Sequence, residues 1–399
     1  MKPDVSPNVD GFTLDWKDQH IAIKVSRLRV HSSDGHVTGE ILVTCYADGY
    51  APILQPPSQL NFSARRSCKE IINSLDAKFP DFEWETIIDQ LSYHVQDVAR
   101  QGEPVKELWT HEEVLPPEFL LEPILYKGLP TIIFGEKAVC KSTLAIVMYT
   151  CLSLPWYDNL LGWTTPQKSI KTLIVDYEVD YNITQYNAKR LQEGMGLPAF
   201  PIYYRRGTLP IADDIGQIQK HLSELGAEAL IIDSLAPAVG GDLKDPSQAL
   251  HFTSAIRQLK IATLLIGQTS KDRETKHKSV YGSTFFEYYA RNIFELRKVQ
   301  EEGEDVLDLA LFHTYCNLGK RQPPMGLSLN FNEKHITIAR KEITAPELIE
   351  RLGTQARILN LLKSGALTPK EIMETLDAKR NTVDVSLKRL RDRQKITRV

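Results

Sequence analysis

Cysteine is scarce in this 399-residue sequence, and the few present do not pair: Cys45, Cys68, Cys140, Cys151 and Cys316 are scattered, with no CxxC spacing. The ten histidines form no ligand-spaced cluster. A disulfide framework and structural zinc are thereby excluded. Long apolar runs are missing too. The stretch 144–154 is broken by Thr and Ser and is too short to span a bilayer, so no membrane association is expected. The opening MKPDVSPNVD has no charged-then-apolar export pattern, and a cytoplasmic protein is expected. Internal repeats and low-complexity tracts are absent. Neither sign of charge dominates, with 48 Lys+Arg against 51 Asp+Glu for a net −3, so nothing in bulk announces nucleic acid.

What is present is a globular composition, 42% hydrophobic and 25% charged, on a chain long enough for two or three domains. The charge is unevenly spread. From Lys379 to Val399 eight basic residues face two acids, a local +6 that leaves −9 on residues 1–378. Three regions follow from texture. Residues 1–110 read as a small α+β domain, with a hairpin from His20–His31 and His36–Ala47 and helices near Cys68–Phe79 and Trp84–Arg100. Residues 111–345 alternate apolar strands (Pro130–Phe134, Thr172–Asp176, Ile202–Arg205, Ala229–Asp233, Thr263–Gly267) with helices, which predicts an α/β fold with a parallel sheet covered on both faces. Four later strand segments, Asn292–Val299, Val306–Thr314, Gly326–Phe331 and His335–Ala339, come without long helices and predict an antiparallel extension. Residues 346–399 predict three helices, the second opened by the capping box Thr368-Pro369-Lys370-Glu371, and a terminal strand at Lys395–Val399.

The strongest chemical signal is Gly135-Glu136-Lys137-Ala138-Val139-Cys140-Lys141-Ser142, followed by Thr143, between the strand ending at Phe134 and a helix. It fits the phosphate-loop pattern GxxxxGK[ST] at seven of eight positions. Backbone N–H groups and the helix N-terminus would surround phosphates, Lys141 would neutralise them, and Ser142 would coordinate Mg2+. Cys140 stands where the pattern has glycine, whose missing side chain lets backbone approach phosphate closely. Leu230-Ile231-Ile232-Asp233 ends an apolar strand in a carboxylate suited to the same Mg2+. Glu178, after the strand Leu173–Asp176, could activate water, and Gln268, after Thr263–Gly267, could sense the γ-phosphate of ATP.

The order of these motifs, with the stretches LIVDYE, ALIIDSLAPAVGGD, LLIGQTSKD, YGSTFFEYYARNIFELR and NLGKRQPPMGLSLNF, resembles the RecA-like P-loop motor ATPases. Within these it looks most like the RepA-like plasmid helicase branch, near the DnaB and KaiC groups. The likeness spans about residues 115–340. It implies ATP and Mg2+ as cofactors, Glu178 as catalytic base, Lys141 and Gln268 as catalytic partners, and a homo-oligomeric, hexameric ring. Relatives place a cation on a late strand before an Asn-Gly-type turn. Here Phe312-His313-Thr314-Tyr315-Cys316-Asn317 has none, and Lys320 or Arg321 is the nearest substitute.

DNA contacts are expected in two places. Lys271, Arg273, Lys276 and Lys278 lie in a loop that, by the same likeness, faces single-stranded DNA in a central channel. The C-terminal region resembles a winged-helix domain whose third helix would bind duplex DNA through Arg380, Lys388, Arg389 and Arg391, with Asn381 or Ser386 near base edges. The expected function is an ATP-dependent replication helicase. The alternative is a nucleotide-binding, weakly or non-hydrolysing DNA-binding regulator, which Cys140 and the missing finger favour.

Overall fold

The computed structural model describes residues 2–8, 11–30, 35–101, 105, 107, 115–269, 279–282, 284–300 and 303–398. The chain divides into two compact units, 1–116 with 211–226, and 117–210 with 227–399. The first unit thus takes in residues 211–226, which the sequence reading had assigned to the central domain.

In the first unit, β1 (Asp4–Asn8), β2 (Gly11–Trp16), β3 (Ile21–Val30), β4 (Val37–Cys45) and β5 (Ile53–Asn61) form one antiparallel sheet in sequence order. Strands β2 and β4 alternate buried and half-buried positions, the period that puts one sheet face in a core. Helices α1 (Arg65–Asp76) and α2 (Trp84–Gln101) supply the rest of that core, where Trp16, Phe62, Trp84, Ile87 and Leu91 are buried. The hairpin expected from His20 to Ala47 forms as β3–β4, while its turn at residues 31–34 lies outside the described residues. Strand β5 escaped the sequence reading because Pro56 and Pro57 interrupt its pattern.

The second unit opens with β6 (Phe119–Leu121) and β7 (Leu125–Tyr126), then β8 (Pro130–Gly135), α3 (Lys141–Ser153), β9 (Thr172–Asp176), α4 (Tyr181–Gly194) and β10 (Tyr203–Arg206). Helix α5 (Ile211–Leu225), next in sequence, belongs to the first unit. The second unit continues with β11 (Ala229–Asp233), α6 (Leu235–Val239), α7 (Pro246–Leu259), β12 (Ala262–Gln268), α8 (Thr284–Tyr289), β13 (Asn292–Val299), β14 (Val306–Cys316), β15 (Met325–Phe331) and β16 (Ile336–Arg340). These strands form a nine-stranded sheet in the order β10-β9-β11-β12-β8-β13-β14-β15-β16. Strands β8, β9 and β11 are buried at every position, which explains their unbroken apolar runs. Helix α3 is buried from Leu144 to Ser153 and packs on this sheet.

One expectation is corrected. Asn292–Val299 was read as part of the antiparallel extension, but β13 pairs parallel with β8 on one side and antiparallel with β14 on the other, and the antiparallel pairing continues from β14 to β15 and β16. The short α8 and the residues around it carry the chain back to the starting side of the sheet, where Arg291 N–H donates to Pro130 O at 3.0 Å.

After α9 (Pro346–Ile349), helices α10 (Thr354–Leu362), α11 (Pro369–Leu376) and α12 (Arg380–Asp392) enclose a core of Ile358, Ile372, Leu376, Val383 and Leu390. The capping box forms as read: Thr368 and Glu371 satisfy each other's backbone donors. The terminal strand does not form, for Lys395–Arg398 have no regular structure. Ile396 packs against the helical core instead, because a lone extended segment has no sheet edge to pair with. No described helix is long and apolar enough to cross a membrane.

Candidate functional site

Strand order decides what meets at the carboxyl ends of the parallel strands. In register, Gly135 of β8 lies beside Gln268 of β12, and Asp233 of β11 beside Asp176 of β9. The loop from Gly135 to Cys140 turns from β8 into α3. Gly135 is required by space: a Cβ there would sit 2.5 Å from Leu296 O on β13. Ala138 and Cys140 both adopt left-handed backbone, φ 60° and 62°, a conformation normally left to glycine. Cys140 therefore keeps the backbone geometry of the residue it replaces. Its side chain packs against the apolar core, and burial raises its thiol pKa.

Helix α3 has no side-chain cap, and its first backbone bond runs from Leu144 N–H to Cys140 O at 2.9 Å. The N–H groups of Lys141, Ser142 and Thr143 are thus left without intrahelical partners at the positive end of the helix dipole. Glu136, Lys137 and Ala138 are exposed at the loop tip, while Val139 is buried in the core. The Lys141 ammonium donates to Gly135 O at 3.1 Å and Glu136 O at 2.6 Å. Burial lowers its pKa, and the nearby Glu178 and Asp233 carboxylates oppose that shift.

Asp233 is 5% exposed. Burial pushes its pKa up to about 7, the Ser142 side chain counteracts, and the charges of Glu178 and Asp176 add to the rise. Its Oδ1 has no hydrogen-bond partner, an outcome buried carboxylates normally avoid. A divalent cation held by Ser142 and Asp233 would relieve both conditions, so the donor set fits Mg2+. Glu178 is exposed at the loop after β9, and the Ser234 hydroxyl donates to its Oε1. Gln268 is exposed at the end of β12, with its backbone carbonyl accepting from Tyr281 N–H at 2.8 Å.

Three contributors were missed from sequence. Asp176 is buried and accepts from Glu178 N–H at 2.8 Å, Val179 N–H at 3.0 Å and the Thr184 hydroxyl at 3.3 Å, so it builds the turn that presents Glu178. An Asp two residues before a candidate base was the available signal. Ser234 follows the strand carboxylate directly but revealed its partner only across β9 and β11. Arg206 at the end of β10 donates to Val179 O and lies 3.8 Å from Asp176. At the end of β14, Arg321 donates to Thr314 O at 3.4 Å.

Of the residues expected from sequence to contact DNA, Lys271, Arg273, Lys276 and Lys278 lie outside the described residues. Arg380, Lys388, Arg389 and Arg391 are exposed on α12. Arg380 lies 3.7 Å from Asp384. Ser386, read with Asn381 as a residue near base edges, is 7% exposed and lines the same cleft as Asn381 and Arg389. Asn381 and Arg389, with Pro324 and the start of α10, line a cleft of ≈ 630 Å³.

No curated protein matches this chain. Among solved structures it is similar to a KaiC-like protein from the hyperthermophilic archaeon Pyrococcus horikoshii, at 13% identity and a TM-score of 0.39, over 57% of this chain and 96% of that one. Residues 100–274 match the AAA domain family, a stretch that includes the loop between β8 and α3.

Proposed function

We propose that the chain is an ATP-dependent DNA-acting motor, a replication helicase of the RepA-like kind working as a homo-oligomeric ring. The observation that carries this reading is the convergence of Lys141, Asp233 and Glu178 at one end of the sheet, where their charges act on one another. The N–H groups at the start of α3 take the phosphates of ATP, and Lys141 neutralises them as a point charge. Ser142 and Asp233 hold Mg2+, which when bound draws charge from the phosphate oxygens. Glu178, aimed by Asp176 and Ser234, accepts the proton of the attacking water. The Gln268 amide reaches the γ-phosphate from the next strand. The loop bearing Lys271, Arg273, Lys276 and Lys278 contacts single-stranded DNA, and α12 of a winged-helix domain contacts duplex through Arg380, Lys388, Arg389 and Arg391.

A DNA-binding regulator that holds nucleotide with little or no hydrolysis is the second reading, favoured by Cys140 at the loop's glycine position. ATP turnover by the purified chain, with and without single-stranded DNA, separates the two. For a motor, wild type turns over and responds to DNA. Glu178→Gln then loses on the order of 100-fold, and Cys140→Gly changes the rate by no more than a few-fold because the backbone there is already glycine-like. Binding without turnover, restored by Cys140→Gly, would establish the regulator.

A further inference from the structure

At the other end of β8, about 16 Å from the phosphate loop at 3.3 Å per residue, a cavity of ≈ 220 Å³ opens between the turn before β8, the end of α7 and the start of β13. Three cationic residues line it, Arg257, Lys260 and Arg291, and no carboxylate does. The Arg257 guanidinium sits 5.1 Å over the ring of Tyr289. Both arginines act electrostatically on the Tyr289 phenol, which is buried. Ile256 and Ile261 supply apolar wall. Neither Arg257 nor Arg291 has a carboxylate partner among the described residues.

Cations in a last helical turn ordinarily answer the free carbonyls there. That accounts for Arg257 in the last turn of α7 and Lys260 just after it, but not for Arg291, which enters from the strand side where Pro130 O fixes its backbone. Like charges brought together around a concave wall repel one another unless an anion joins them. Two guanidinium groups offer planar forks suited to phosphate oxygens. The volume is below the usual range for larger organic ligands.

We propose that this cavity is a second anion site, separate from the phosphate loop, for a small polyphosphate of pyrophosphate size. It does not rest on the nucleotide reading, since no residue is shared. The test is calorimetric titration of pyrophosphate, without Mg2+, into the full-length Lys141→Ala variant, which weakens the phosphate loop and leaves this cavity intact. One site is expected to remain. Adding Arg257→Gln, at an exposed position, should weaken it about tenfold, and adding Arg257→Gln with Arg291→Gln should abolish it, with circular dichroism checking that each variant is folded. Two results overturn the proposal. One is a folded Arg257→Gln variant that binds as tightly as its parent. The other is no binding of pyrophosphate to Lys141→Ala while a 5′-phosphorylated oligonucleotide still binds through Arg257.

Discussion

Single atoms set the constraints around the loop. Gly135 has no room for a side chain, because the oxygen it would meet belongs to β13 backbone inside the sheet and cannot swing aside. Gly135→Ala should therefore cost on the order of 2–3 kcal/mol, read as a lower denaturant midpoint at unchanged m-value. Asp233 gives a pH signature of definite sign. The folded carboxyl keeps its proton up to about pH 7, against 3.8 for the ordinary group. Between those values the unfolded chain binds fewer protons at this group, so its contribution to stability is fully present below about pH 4 and is lost as pH rises to 7. Asp233→Asn should remove that slope and stabilise the nucleotide-free protein near pH 8 by a few kcal/mol at most. Melting curves of both proteins from pH 5 to 8 check it; parallel curves would rule the shift out.

At the scale of elements, local chemistry and pattern were readable wherever they acted within one segment. The capping box needs only Thr368, Pro369 and Glu371 in order, and it forms as the sequence implies. Thr368→Ala should cost about 1 kcal/mol, seen as faster hydrogen exchange in α11 with the first unit unaffected. Strands β8, β9, β11 and β12 were legible because burial on both faces demands continuous apolar residues, whereas β10, at the sheet edge, is only half-buried. Strand direction was not legible for β13: its sequence suits either direction, and the choice came from the short α8 region and the Arg291–Pro130 bond. Nor could a strand at Lys395–Val399 exist without an edge, however suitable its residues.

For the whole molecule, charge distribution matters more than its near-neutral sum. If α12 binds duplex, Lys388→Gln with Arg389→Gln should weaken binding about equally across sequences and reduce the slope of log K against log salt by roughly two. A slope matching wild type would remove this surface from the proposal. Both side chains are exposed, so folding should be unaffected, and ATP turnover without DNA should stay at the wild-type level.

The sequence by itself determined the phosphate loop, the strands that carry Asp176, Asp233 and Gln268, and the three-helix C-terminal unit, because each is specified by neighbours a few residues apart. Only the tertiary structure decided which carboxylates meet. Strand order set Asp233 beside Asp176 and Gln268 beside Gly135, and packing across β9 and β11 joined Ser234 to Glu178. It also placed Cys140 in left-handed backbone with its side chain packed against the core. Contacts between distant segments depend on sheet order and burial, and no local spacing encodes them.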